Sequence, residues 1–273
     1  MSMMPLIKYA NKSFTLPDTC VKIRQLLDDP MSSSDDIAQI ISLDPSLAAK
    51  VLKLANSALF RFPSQVTSVN KALGVIGGEA AYNITMAETA NLAFKALSSE
   101  PIDFKAFWEK AVMQGLIARS IAQQIQNRGS ERFFVMGILM NLAELICATK
   151  LQAGYKKYLD AKDTMLPLEA QRAAFGFTFC HCSGRILESF QLPANLHETL
   201  TQLTLFPHQQ LSLDESVLYM AAAMAEKKEG KALLSHEDFN LQATQSIGLN
   251  DYEYDIIFEF AQSETFKIAQ AIN

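Results

Sequence analysis

Asp36-Ile37-Ala38-Gln39-Ile40-Ile41-Ser42-Leu43-Asp44-Pro45-Ser46-Leu47-Ala48-Ala49-Lys50-Val51-Leu52-Lys53-Leu54-Ala55-Asn56-Ser57-Ala58 reads as two helices separated at Asp44-Pro45. In the first, Ile37, Ile40 and Ile41 fall on one face. Ser34 is the expected N-cap, and Asp35 and Asp36 complement the positive end of the helix dipole. In the second, Asp44 is placed to cap, and Pro45 occupies the first turn, where its missing N–H costs nothing. Leu47, Val51 and Leu54, with Ala48, Leu52 and Ala55, give a broad apolar face, and the helix closes near Asn56-Ser57. The next break is Phe60-Arg61-Phe62-Pro63-Ser64.

The same helical grammar extends in both directions. Helices are expected at 69–76, 79–97, 103–127, 131–149, 151–161, 167–175, 179–190, 194–204, 213–228 and 252–271, with a short acidic-apolar segment between the last two. Gly74-Val75-Ile76-Gly77-Gly78 lies between helices rather than after a strand, so it reads as a turn and not as a phosphate loop. There is no alternating β-branched run, no low-complexity stretch and no repeat of 20–50 residues. The fold class is all-α, and Ser98-Ser99-Glu100-Pro101 is the best internal boundary, dividing the chain into 1–100 and 101–273.

Composition narrows the function classes. The 273 residues are 49% hydrophobic and 19% charged, which fits a globular chain with a large core and not a disordered one. The net charge is −5, and no Lys/Arg run exceeds two residues, so nucleic-acid binding has no electrostatic footprint. Met1 to Tyr9 carries no signal-peptide pattern, and no apolar run approaches the roughly 18–20 residues a membrane span needs. Four unframed cysteines, Cys20, Cys147, Cys180 and Cys182, suit a reducing cytoplasm.

Individual motifs are weak. Cys180-His181-Cys182 invites a zinc reading, but consecutive helical residues point about 100° apart and no second pair completes four ligands. His197, His208 and His236 lack ligand or triad spacing. Trp108, with Phe104, Phe107 and Ala111, has core spacing. Asn56-Ser57 reads first as a structural helix terminus, and second as a recognition site near a groove. Phe60 and Phe62 are either loop staples or exposed anchors for a partner.

The order of Leu16-Pro17, Asp36–Pro45, Leu47–Ala58, Val66-Thr67-Ser68-Val69 and Ala72–Gly77 closely resembles the HDOD family, the HD-related output domains of bacterial signalling proteins. The likeness continues through Phe107-Trp108, Gly137–Glu144, Gly176-Phe177-Thr178 and Ile186–Pro193. It implies a helical N-terminal lobe over 1–100 packed on a degenerate HD-like core with C-terminal helices over 101–273, as one continuous unit. Catalytic HD phosphohydrolases carry an adjacent His-Asp pair in a Gly-Leu-Leu-His-Asp-Ile-Gly-like pattern, where this chain has Met140-Asn141. Lys110, Phe179 and Gln202 stand where further ligands are expected. A thioether and an amide do not replace an imidazole and a carboxylate on a divalent metal. The resemblance therefore implies no metal, no cofactor and no hydrolysis, with protein partners in a signalling pathway and no role for nucleic acid or membrane. Asp44, Pro45, Asn56 and Ser57 are its signature residues. Two alternatives stay open: binding of a nucleotide or cyclic dinucleotide, and residual phosphohydrolase activity from a relocated site.

Overall fold

The computed structural model describes residues 2–60, 62–97, 102–127, 129–162, 164–165, 167–204, 210–227 and 237–272. The boundary at 98–101, together with His208 and His236, lies outside them. Every regular element among the described residues is an α-helix: α1 (Met4–Ser13), α2 (Asp18–Asp28), α3 (Ser34–Ser42), α4 (Pro45–Ala55), α5 (Val69–Ile76), α6 (Gly78–Leu97), α7 (Phe104–Gln124), α8 (Glu131–Leu139), α9 (Leu142–Lys150), α10 (Gln152–Ala161), α11 (Pro167–Phe175), α12 (Phe179–Ser189), α13 (Ala194–Gln202), α14 (Leu213–Lys227), α15 (Glu237–Ile247) and α16 (Asp251–Ile272).

Local chemistry accounts for several helix ends. Asp44 Oδ1 accepts from the backbone N–H groups of Ser46 (2.9 Å) and Leu47 (3.1 Å), and Pro45 begins α4. The cap of α3 is Ser33, one residue before the expected Ser34. Only from Ser33 does Asp36 stand three residues on, where the two form a reciprocal capping box. Three further expectations are corrected. The single helix over 131–149 breaks at Met140-Asn141, the acidic-apolar segment forms α15, and α1 is an additional helix packed on α9 and α12. Both unanticipated helices are short, and packing stabilises a short helix more than its own propensity does.

The core is built around α8, in which every residue from Phe133 to Leu139 is buried. On one side α8 meets α6, which is itself covered by α2, α4 and α5; on another it meets α7, which also carries α14 and α16. Buried residues accordingly lie all round α6, so that helix shows no single apolar stripe. One hydrophobic cluster runs from Leu6 to Ile272.

Two close approaches set this packing. A Cβ on Gly137 would lie 2.6 Å from Gly115 Cα, and one on Gly115 would lie 2.5 Å from the Phe134 carbonyl oxygen. Helices α7 and α8 therefore touch backbone to backbone. The α12–α13 crossing repeats the device, with a Cβ on Gly184 falling 2.5 Å from Thr201 N. At its far end α16 is clasped by both halves of the chain. Trp108 Nε1 donates to the Ala269 carbonyl and Lys53 Nζ to that of Gln270, both at 3.2 Å, supplying donors to carbonyls that the helix end leaves open. The stretch Glu131–Lys150 is apolar enough to cross a membrane by composition, but 78% of its most apolar 18-residue window is buried within this fold.

Candidate functional site

Met140 and Asn141 occupy the break between α8 and α9. Met140 ends α8 in helical geometry and is 3% exposed, its thioether packed in the core. Asn141 leaves helical geometry (φ −107°, ψ 13°), and its half-buried Nδ2 donates to Gln114 Oε1 at 2.8 Å. Gln114 is buried on α7 beside Gly115, so the glycine contact is what brings its amide to Asn141. The break frees backbone donors at the start of α9, and Ser183 Oγ accepts from Ala143 N at 2.9 Å. The site is thus a polar stitch joining α7, α9 and α12.

The other positions at which the resemblance led to an expectation of ligands have different surroundings. Phe179 is 1% exposed in an aromatic cluster, 5.2 Å from the Tyr158 ring and 5.5 Å from Phe175, and its backbone N–H donates to Gln171 Oε1 at 2.8 Å. Tyr158 continues the cluster to Tyr155, whose hydroxyl donates to Glu144 at 3.0 Å. Burial first, and the Glu144 carboxylate second, push the Tyr155 phenol above its ordinary range. Lys110 is half-buried on α7, one helical turn before Gln114, and Gln202 is exposed at the end of α13. Among the described residues, no three His, Cys, Asp or Glu side chains converge to hold a metal ion. A buried thioether beside an amide already bonded to Gln114 does not fit the hard or borderline divalent ion of an HD centre.

Cys180-His181-Cys182 is likewise structural. Both thiols are buried; burial pushes Cys182 up to about 12 and holds Cys180 well above its usual range. His181 Nδ1–H donates to the Thr201 carbonyl at 2.6 Å, which ties α12 to the end of α13.

A second cluster surrounds the end of α4. Asn56 Nδ2 donates to the carbonyls of Leu52 and Val66, and its Oδ1 accepts from Val66 N, all at 2.8 Å. Ser57 Oγ donates to Leu54 O at 2.6 Å. Together they clamp both ends of the loop that carries Phe60 and Phe62. Arg119 of α7, buried at 4% exposure, donates to the Leu59 carbonyl at 2.7 Å and lies over the Phe60 ring at 5.0 Å. Phe60 is therefore a partly buried staple, while Phe62 remains 40% exposed.

Beside this loop opens a groove of about 560 Å³. Phe60, Val75, Ile76, Ile256, Ile257 and Phe260 form its apolar lining, and α7 supplies Arg119, Ser120, Gln123 and Gln124 opposite. Sequence reasoning missed Gln114, Arg119 and Ser183. Their partners are 27, 60 and 40 residues away in the chain, so no local spacing announces them.

A family model described as HDOD domain matches residues 14–204. No curated protein matches the sequence. Among solved structures, a protein provisionally named a phosphohydrolase from Shewanella amazonensis SB2B superposes with a TM-score of 0.72 at 18% identity, over 98% of both chains. An HDOD domain protein of unknown function from Geobacter sulfurreducens gives 0.66 at 18% identity, covering 99% of this chain and 98% of that one. A provisionally named signal transduction protein from Marinobacter aquaeolei VT8 gives 0.70 at 20% identity, covering 96% of this chain and 60% of that one. At these identities the likeness is one of fold.

Proposed function

The chain belongs to the HDOD family, whose model spans most of its length, and from that membership we propose that it is a bacterial, cytoplasmic regulatory module that works through protein–protein contact, without metal-dependent hydrolysis. The observation that carries this reading is the state of Met140 and Asn141. An HD hydrolase needs imidazoles and carboxylates converging on one or two metals to activate water. Here the first position is a core thioether, and the second is an amide bonded to Gln114. Phe179, buried among aromatic rings, removes a further candidate ligand.

Kept helices with altered ligand positions are what a binding scaffold requires. The close contact of α7 with α8 and the Asn56 clamp hold a rigid surface, and rigidity lowers the entropy cost of docking. The test measures metal content of the purified protein and turnover of phosphomonoesters and cyclic dinucleotides across added Mg²⁺, Mn²⁺, Fe²⁺ and Zn²⁺. The expected result is substoichiometric metal and no turnover. Stoichiometric metal with phosphodiesterase turnover overturns the reading in favour of a relocated site.

A further inference from the structure

We propose that the groove between α16, α5, α7 and the Phe60 loop is the docking site for a basic amphipathic helix of a partner protein. This rests on the interaction-module reading above and adds to it the surface and the class of partner.

The groove is continuous with an exposed stripe on α16. Tyr252, Ile256, Glu259, Ser263 and Phe266 follow one another at spacings of four and three, which places them along one face of the helix. Tyr252 is 73% exposed, Ile256 48% and Phe266 52%. Ile256 belongs to both features, since it lines the groove as well as the stripe. The exposed Tyr252, Ile256 and Phe266 along that stripe, beside a groove with Phe60, Val75 and Ile76 on one wall and polar α7 side chains on the other, can receive a second helix with anchors at i, i+3, i+4 and i+7.

Charge selects among helices. From Asp251 to Glu259, α16 carries Asp251, Glu253, Asp255 and Glu259 with no Lys or Arg, whereas Glu264 further on is paired with Lys267 at 2.8 Å. Glu131 adds a carboxylate to the groove lining, and Gln124 Nε2 donates to Glu253 at 3.2 Å, linking α7 to α16 beside it. Arg119, the cation among the groove-lining residues, donates to the Leu59 carbonyl and lies over the Phe60 ring, and it offsets Glu131 within the groove itself. A groove of mixed polar and apolar lining beside the acidic face of α16 favours Lys and Arg around apolar anchors and disfavours Asp and Glu there.

The probe is a synthetic helix of about five turns, with Leu on one face and Lys on the rest, compared with its Leu/Glu counterpart by fluorescence anisotropy. Backbone amide NMR shifts map the contact. The Lys peptide is expected to bind at least about tenfold more tightly than the Glu peptide, with the preference weakening as salt rises. Its shifts should centre on Ile256 and Phe60. Ile256→Asp, at a half-exposed position, should abolish binding without lowering Tm. Asp255→Lys with Glu259→Lys should reverse the preference between peptides. Equal affinity for the two peptides, silence from both, or shifts centred elsewhere overturns the proposal. Self-association that Ile256→Asp abolishes also overturns it, because the occupant is then a second copy of this chain. These outcomes leave metal content and turnover untouched, so failure here is distinguishable from failure of the non-catalytic reading.

Discussion

Two asparagines stand at two helix breaks in this protein, and they differ in what they hold. Asn56 ends α4 and commits both ends of its amide to main chain, bonding Leu52 and both polar groups of Val66 within ten residues. Asn141 stands between α8 and α9 and reaches a side chain, Gln114, on another helix. The first is a local clamp that fixes a loop beside the candidate docking groove. The second is a tertiary stitch between helices far apart in the chain. One asparagine thus fixes backbone geometry, while the other fixes helix packing.

The most severe way to break the comparison is Gly137→Val. Its branched side chain meets the Gly115 backbone, which cannot rotate away, and separates α7 from α8. A loss of about 4 kcal/mol or more is expected in urea denaturation, with the Asn141–Gln114 bond lost as a consequence. Gly74→Val, where a Cβ meets nothing within 4 Å, is the control that should cost far less.

Met140→His asks whether an imidazole at this position brings metal binding. An imidazole in this core should cost roughly 3 kcal/mol and bring no metal binding by calorimetry. Burial disfavours the charged ring, so its folded pKa lies below the unfolded value of about 6.5. The sign follows: the variant's stability is greatest above the unfolded pKa and falls as pH drops through the folded one. A variant equally stable at pH 5 and 8 refutes the buried placement.

Asn56→Ala should remove roughly 2 kcal/mol, since it leaves the Val66 N–H and C=O without their partner. Hydrogen exchange should accelerate across residues 57–66 and leave α9 unchanged. If protection at α9 falls equally, the clamp is not local.

The smallest effect comes from the stitch. Asn141→Leu should cost about 1–2 kcal/mol by stranding buried Gln114, and adding Gln114→Met should recover part of it. A double-mutant cycle without coupling would show that the two amides contribute independently.

Much of the fold was legible because its signals are local. Asp44-Pro45 marks a helix start through hydrogen bonds two and three residues on, and Leu47, Val51 and Leu54 mark its buried face. The cap of α3 was displaced by one residue because Ser33 and Ser34 both present a hydroxyl, and only the reach of Asp36 distinguishes them. Helix α15 escaped because its apolar face is completed by α14 rather than by its own periodicity.

At the candidate site, the sequence showed which residue types stand at Met140, Asn141 and Phe179, and on those types the proposal of a non-catalytic module rests. Their replacement roles were not legible. The sequence by itself determined an all-α chain, its principal caps and the family to which its motifs point, because those depend on side chains within a few residues of one another. The tertiary structure decided that α8 and α9 are separate helices, that Gln114 and Ser183 complete the break between them, and that α16, α5, α7 and Phe60 line one groove. Those contacts join residues far apart in the chain, and only the close approach of whole helices brings them within hydrogen-bonding and van der Waals range.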